Sequence, residues 1–481
     1  MSVRAHFVTL ISLSLTLVVL SACADLLGGE GLEGQDKTLA DAERSRSLGE
    51  LPFSALWDIE GSFGGAPLWV SNNPEDVDSY GVLSSTRGPT QSASRALVEG
   101  SPSPELLWDE AGRAVSEAQG CAEGSFRRLD LYLAHILSSR HLSGRRRLSV
   151  VVEADEALEL SYEGQMGTSG WSDLAGYKTT RADWLGAQIA RDALNRSASL
   201  GLGGSPLEGR LSLRTGERAA LHSLSADSLV EGGFSLESVG GCFALHVIAH
   251  DEALELSGPL PPYALGDVKW PGWYQGGGYG RAAGLYEGSS WLGEAGAELS
   301  LEEGAVGWRL FDAKNSPVAL GRHGDSAELL FGGYGVVYEA RLKLSNAGAE
   351  CLSAHVGFTS YVKLALREGE PALNDERTPS VADLHKSDPD KRPSMLWNGP
   401  IQFSQQLRNG SLADQRVDVI LTPSIAQDEW GSPINVPKGL HKPLFRWDLE
   451  PGEERLVSLL VPVPGYIVAP AAITVEPKPC P

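Results

Sequence analysis

Chemistry would first be sought where histidines and acids fall at short spacing. His246 and His250, with Asp251 next to the second, flank Ile248 at two-residue intervals. On an extended strand these histidines share one face, so two imidazoles and a carboxylate could approach a divalent cation. Three donors are one short of a closed tetrahedral site, and two ordinary strand histidines explain the pattern more simply. Asp388-Pro389-Asp390, near Asn374-Asp375-Glu376, is acid-rich but lacks the ligand order of a calcium loop. It reads as a solvated loop. No Gly-x-Ser-x-Gly elbow, His-Glu-x-x-His pair or phosphate-binding Gly-x₄-Gly-Lys-Ser/Thr loop occurs. The glycines at 276–278, 280 and 284 lack the spacing and strand–helix context of a dinucleotide fingerprint. A glycosidase-type acid pair stays open among 62 Asp and Glu residues, but nothing singles two of them out. The expectation is no catalytic residue, no metal and no cofactor.

Tryptophan is the one excess with functional content: 12 are present. Trp270-Pro271-Gly272-Trp273-Tyr274 places three aromatics in one Pro/Gly loop. Flat rings can stack on sugars, which makes Trp270, Trp273 and Tyr274 candidate ligand-stacking residues. Packing in a seam between domains is the preferred reading.

The stretch Leu20-Ser21-Ala22-Cys23 closes an apolar run that follows Arg4. It resembles the lipobox of bacterial lipoproteins, in which the cysteine is acylated and the signal is cut before it. Residues 1–22 then form the signal and Cys23 carries the lipid. Each buried methylene contributes about 0.8 kcal/mol, so several acyl chains anchor the chain stably to a membrane. Ala24 rather than Asp follows Cys23, which favours the outer membrane in a host with two. Residues 23–50 are Gly-rich, charged and poor in aromatics, and read as a flexible tether reaching about 30 Å.

Beyond the tether the hydrophobic period is mostly two. Leu129, Leu131 and Leu133 alternate with other residues, as do Leu148, Val150 and Val152; the pair reads as two strands of a hairpin around the Arg-rich turn at 145–147. Phe243, Leu245 and Val247 continue the theme. Turns are signalled at Thr215-Gly216-Glu217, Asn346-Ala347-Gly348 and Glu450-Pro451-Gly452-Glu453. Helices are predicted to open at Asn73-Pro74 and at Ser103-Pro104-Glu105, the latter stopping at Gly120, with another over 183–198. The heptapeptide at 155–161 recurs verbatim at 251–257, each copy after an apolar strand, which suggests equivalent strand-end turns.

The predicted architecture is all-β: two tandem antiparallel, immunoglobulin-like sandwiches with a few short helices. Residues 51–260 form the first sandwich region, 261–330 a Gly/Trp-rich connector, and 331–481 the second sandwich. Four cysteines remain once Cys23 is set aside, and an exported chain with an even number reads as disulfide-bonded. Three pairings are open; Cys121–Cys242 and Cys351–Cys480 are expected because each lies within one sandwich.

A formal charge of −22 repels nucleic acid and anionic headgroups alike, so no nucleic-acid partner is expected. Five segments stand out in order: Ser71-Asn72-Asn73-Pro74-Glu75 with Gly81-Val82-Leu83, the strand around Ala134-His135, Tyr279-Gly280-Arg281 with Ser290-Trp291, Tyr334-Gly335-Val336-Val337-Tyr338, and the stretch from Leu449 to Val463. Together they resemble an uncharacterised secreted bacterial envelope family catalogued as domain of unknown function 3370. Where that family has a His pair, this chain has Ala134-His135. The resemblance implies export and β architecture and assigns no activity. The resulting expectation is a lipid-anchored envelope protein of structural or binding type, not an enzyme, with an envelope polysaccharide or protein as partner. The alternative is a carbohydrate-active protein, either a glycan-binding module or a glycoside hydrolase.

Overall fold

Alternating apolar residues become strands throughout the computed structural model. It describes residues 46–48, 55–73, 81–84, 106–136, 146–169, 208–225, 229–251, 255–257, 284–311, 315–323, 329–330, 333–361, 397–406, 412–421, 439–463 and 471–481. The first strands are β1 (Arg46–Leu48), β2 (Ala55–Asp58), β3 (Glu60–Gly64), β4 (Leu68–Asn73), β5 (Gly81–Ser84) and β6 (Leu106–Trp108). Helix α1 (Glu110–Ala118) follows, then β7 (Arg128–Ile136), β8 (Arg146–Ala154) and β9 (Leu158–Ser169). Next are β10 (Glu208–Leu213), β11 (Arg218–Ser225), β12 (Leu229–Val239) and β13 (Phe243–Asp251). The middle stretch supplies β14 (Gly284–Tyr286), β15 (Ser290–Leu299), β16 (Val306–Phe311) and β17 (Ala319–His323). The remainder is β18 (Val337–Asn346), β19 (Leu352–Tyr361), β20 (Trp397–Gln406), β21 (Leu412–Leu421), β22 (Gly439–Leu449), β23 (Glu454–Pro462) and β24 (Ala471–Pro479).

These strands build two sandwiches. In the first, an eight-stranded sheet ordered β10-β9-β12-β7-β4-β14-β17-β6 faces a four-stranded sheet ordered β11-β8-β13-β5. Leu129, Leu131 and Leu133 of β7 meet Val150 and Val152 of β8 and Phe243 and Leu245 of β13 across the core. In the second, β1-β22-β19-β24-β16-β2 faces β21-β20-β23-β18-β15-β3. Leu342 and Leu344 of β18 there meet Val356 and Phe358 of β19 and Phe445 and Trp447 of β22. Burying each such aliphatic or Phe side chain is worth about 1.5–3 kcal/mol relative to exposure, which makes the two-residue alternation decisive.

The all-β sandwich class is as the sequence predicts, and the details depart from it in instructive ways. Strands β7 and β8 do not form a hairpin: β7 pairs with β12 and β4, whereas β8 pairs with β11 and β13. Their apolar faces meet across the core instead of lying side by side. Arg146 and Arg147 are accordingly strand residues of β8. Among the described residues three ladders are parallel, β4 with β7, β15 with β18 and β16 with β2. Arg46–Leu48, the end of the expected tether, pairs with β22. Strands β2 and β3 join the C-terminal sandwich, and the strands of the 261–330 connector are divided among three sheets.

The helix expected to open at Ser103 begins at Glu110. Leu106–Trp108 is drawn into β6 against β17, and Trp108 is buried. Asp109 then caps the helix, its Oδ1 accepting from the Gly112 amide at 2.7 Å. A Cβ on Gly112 would sit 2.3 Å from the Leu320 carbonyl oxygen, so only glycine lets the helix lie this close to β17. Gly120, at φ +70°, ends it as the sequence suggests. The helix predicted over 183–198, the helical continuation after Asn73 and the acidic loop at 371–395 lie outside the described residues.

The turns behave as signalled. Gly216 and Gly452 take φ of +73° and +75°. Asn346 ties the end of the second sandwich together: its Nδ2 donates to the carbonyls of Glu350 (2.8 Å) and Leu449 (2.9 Å), and its Oδ1 accepts from the Gly348 amide. Cys121, just after α1, is bonded to Cys242, just before β13, with the Cα atoms 5.9 Å apart. Cys351 and Cys480 are bonded across the starts and ends of β19 and β24, at 5.6 Å.

Candidate functional site

The site emerges from the same alternation that builds the core. With Leu129, Leu131 and Leu133 turned inward, Arg128, Asp130 and Tyr132 of β7 must face the opposite side of the eight-stranded sheet. The C-terminal sandwich covers part of that side: Leu68, Val70, Tyr132 and Tyr286 belong to its core cluster rather than to their own sandwich's. The part formed by β12, β9 and β10 carries polar residues instead.

Register aligns those residues in two rows. Asp130 lies opposite Ser235, Ser235 opposite Glu163, and Glu163 opposite Glu208. Two positions along, Arg128 lies opposite Glu237, Glu237 opposite Ser161, and Ser161 opposite Arg210. Both rows line a groove of about 480 Å³. Arg128, Glu208, Arg210 and Glu237 are exposed, and Asp130 and Glu163 are half-buried. Among the described residues, none of these six charged side chains forms an ion pair or a side-chain hydrogen bond. Each is left to water or to a ligand.

The groove runs on, through Arg128, Asp130 and Ser235, into a cleft of about 450 Å³ at the edge of the C-terminal sandwich. Gly65, Gly233 and Gly335 line it, beside Ser289, Ser290 and Glu339. Deeper in the seam Glu231 is fully buried and accepts from the Tyr132 hydroxyl at 2.6 Å. The Tyr132 and Tyr334 rings stack 6.2 Å apart. Burial, with the Glu231 charge adding to it, pushes the Tyr334 phenol up to about 12. That carboxylate and its tyrosines join the sandwiches.

The histidines singled out from the sequence lie on the outer face of the four-stranded sheet, and both are buried. His246 Nε2 is 3.2 Å from Glu153 Oε2, which also accepts from Arg218 Nε at 2.6 Å. His250 Nε2 pairs with Ser149 Oγ at 2.7 Å, and Ser149 with Ser223 Oγ at 2.8 Å. Serine and acid therefore contact different histidines, so no Ser–His–acid relay forms. Four residue steps along the strand also place those histidines about 13 Å apart, too far to share a cation. Among the described residues no group of three His, Cys, Asp or Glu side chains could hold a metal.

The Glu153 cluster has a pH signature. Its hydrogen bond from His246, then that from Arg218, outweighs burial and holds the Glu153 carboxyl at about 2, against 4.5 for an unperturbed group. The unfolded chain thus binds the proton first as pH falls, and this stabilisation, full above about pH 4.5, disappears toward pH 2. Allowing for solvent screening, the loss is about 1–2 kcal/mol. Burial also lowers the His222 pKa, which costs stability in the same direction. Urea titrations at pH 6 and pH 3 should show this loss in wild type and a much smaller one in Glu153→Gln; parallel pH profiles would refute it.

Cys23, Trp270, Trp273, Tyr274 and the acids at 374–376 and 388–390 lie outside the described residues. The groove was not singled out from the sequence. Its local sign was there: Arg128/Asp130, Ser161/Glu163, Glu208/Arg210 and Ser235/Glu237 are four polar pairs, each spaced by two. What no local pattern reveals is that the four pairs adjoin.

No family model matches the chain, and no curated protein matches it. Among solved structures, the chain has a likeness to the crystal structure of the PBSX exported protein XepA, at 8% identity over 72% of this chain and 81% of that one. The TM-score is 0.12, and the likeness carries no argument about fold or function.

Proposed function

We propose that this chain is a lipid-anchored cell-envelope protein of structural or binding type, held to the outer membrane by acyl chains on Cys23 and without catalysis of its own. The observation that carries the reading is Leu20-Ser21-Ala22-Cys23 at the end of an apolar run. Two long-range disulfides suit an oxidising, extracytoplasmic compartment. A charge of −22 leaves acyl chains, not electrostatics, as the means of holding the protein to a membrane. Kinship with the secreted envelope family rests on the ordered segments quoted above.

Cys23→Ser is the test. The wild type should partition with membranes and give an intact mass with an acylated Cys23 as its first residue. The variant should appear in the soluble fraction or retain its first 22 residues. A mature terminus elsewhere, with no acyl mass, would end the proposal. A second reading, carbohydrate binding, draws on the carboxylates and guanidinium groups of the groove.

A further inference from the structure

We infer that the two-row groove on the eight-stranded sheet binds a neutral, hydroxyl-rich chain, an oligosaccharide laid across β7, β12, β9 and β10. This rests on the binding reading above, but not on the anchor. The rows span four neighbouring strands at about 4.8 Å each, some 14 Å in all, and are about 6.8 Å apart. The groove's 480 Å³ is of small-ligand size.

The mixture of groups selects the ligand class. Four carboxylates and two guanidinium groups line the groove with two serines. A polyanion would meet the carboxylates and a polycation the guanidinium groups. A sugar hydroxyl both donates and accepts: the carboxylates accept from its O–H, and the two guanidinium groups with the Ser235 hydroxyl donate to its oxygen, the Ser161 hydroxyl already donating to the Glu237 carbonyl at 3.1 Å. Hydrogen bonds with one ionised partner are about twice as strong as neutral ones. The groups stand ready, since none of the six charged side chains is engaged within the described protein.

Two further observations set this face apart from an ordinary solvated one. Glu163 and Glu208 are directly opposed across β9 and β10. Like charges in that position destabilise a sheet, and departures from such local rules are expected at functional or strained sites. One row further along, opposite the cleft-lining Gly233, Gln165 is only 9% exposed, and among the described residues its Nε2 has no hydrogen-bond partner.

The test uses the full-length protein solubilised in detergent, with maltohexaose, cellohexaose and chitohexaose as neutral probes and dextran sulfate and polylysine as charged ones. Calorimetric titration should show binding of at least one neutral hexasaccharide. Arg128→Gln and Glu163→Gln should each weaken it about tenfold or more. Glu163→Gln should also keep or raise the melting temperature, because it relieves the opposition to Glu208; a residue with a purely structural role would lower it. Glu294→Gln, exposed on the other sandwich, should leave binding unchanged. Failure of all three neutral probes, binding of charged polymers alone, or equal binding by the groove variants overturns the inference. Acylation plays no part in this readout, so failure of the anchor and failure of the groove are separately visible.

Discussion

Removing the Cys351–Cys480 bridge, in a Cys351→Ala/Cys480→Ala variant, is expected to destabilise the C-terminal sandwich by about 3–5 kcal/mol. The two residues are 129 apart in sequence, so the bond closes a very long loop of the unfolded chain. In the chain-entropy description a loop of about 100 residues contributes ~4.7 kcal/mol. Location sharpens the expectation. The bridge fixes the end of β24, which lies between β19 and β16 inside its sheet and supplies Ile473 and Val475 to the core. For a unit this size the melting temperature should fall on the order of 10 °C. Denaturation in guanidinium with and without reductant gives a second route to the same number. An unchanged midpoint in both would show that the folded chain does not contain this bond.

Trp447→Ala should be comparably damaging, at about 3–5 kcal/mol. Trp447 is fully buried, its ring centroid is 4.8 Å from that of Phe445, and Phe445 in turn is 4.3 Å from Phe403. This aromatic row crosses from β22 to β20 and so joins the two sheets. The Arg455 guanidinium, itself only 6% exposed, sits 6.0 Å from the Trp447 ring centroid and pairs with Glu453 at 3.1 Å. Truncation leaves a cavity and strips that cation of its ring. Trp57 is the control, being 39% exposed on the edge strand β2 and meeting Trp308 edge-on at 5.6 Å. Its truncation should cost about 1 kcal/mol. Equal losses at the two positions would contradict the assignment of Trp447 to the core.

Position two residues along a strand is a local property, and it was legible. The alternation of Leu129, Leu131 and Leu133 predicts β7, and that of Leu148, Val150 and Val152 predicts β8, because a pleated strand sends successive side chains to opposite faces. Turn chemistry was equally local: Gly216 and Gly452 adopt the positive φ that glycine tolerates without steric cost. Helix α1 was displaced because tertiary contact competes with propensity. Trp108 gains more by burial against β17 than Ser103-Pro104-Glu105 gains by opening a helix.

Which strand lies beside which is settled only when the whole chain packs. Strands β10 and β11 flank one four-residue turn yet enter opposite sheets, and β7 and β8 likewise enter opposite sheets. Strand partners are chosen by burial summed over the whole chain, and a hydrophobic face is satisfied equally by a neighbour or by the sheet across the core. Local spacing is enough to make Arg128/Asp130, Ser161/Glu163, Glu208/Arg210 and Ser235/Glu237 each present two polar groups on one face of a strand. It did not determine that register would set Glu237 against both Arg128 and Ser161, or Glu163 against Glu208. A shift of one residue in any of those ladders would turn the polar pairs into the core and the leucines outward, so the burial of Leu129, Leu131, Leu160 and Leu236 is what holds the groove in line.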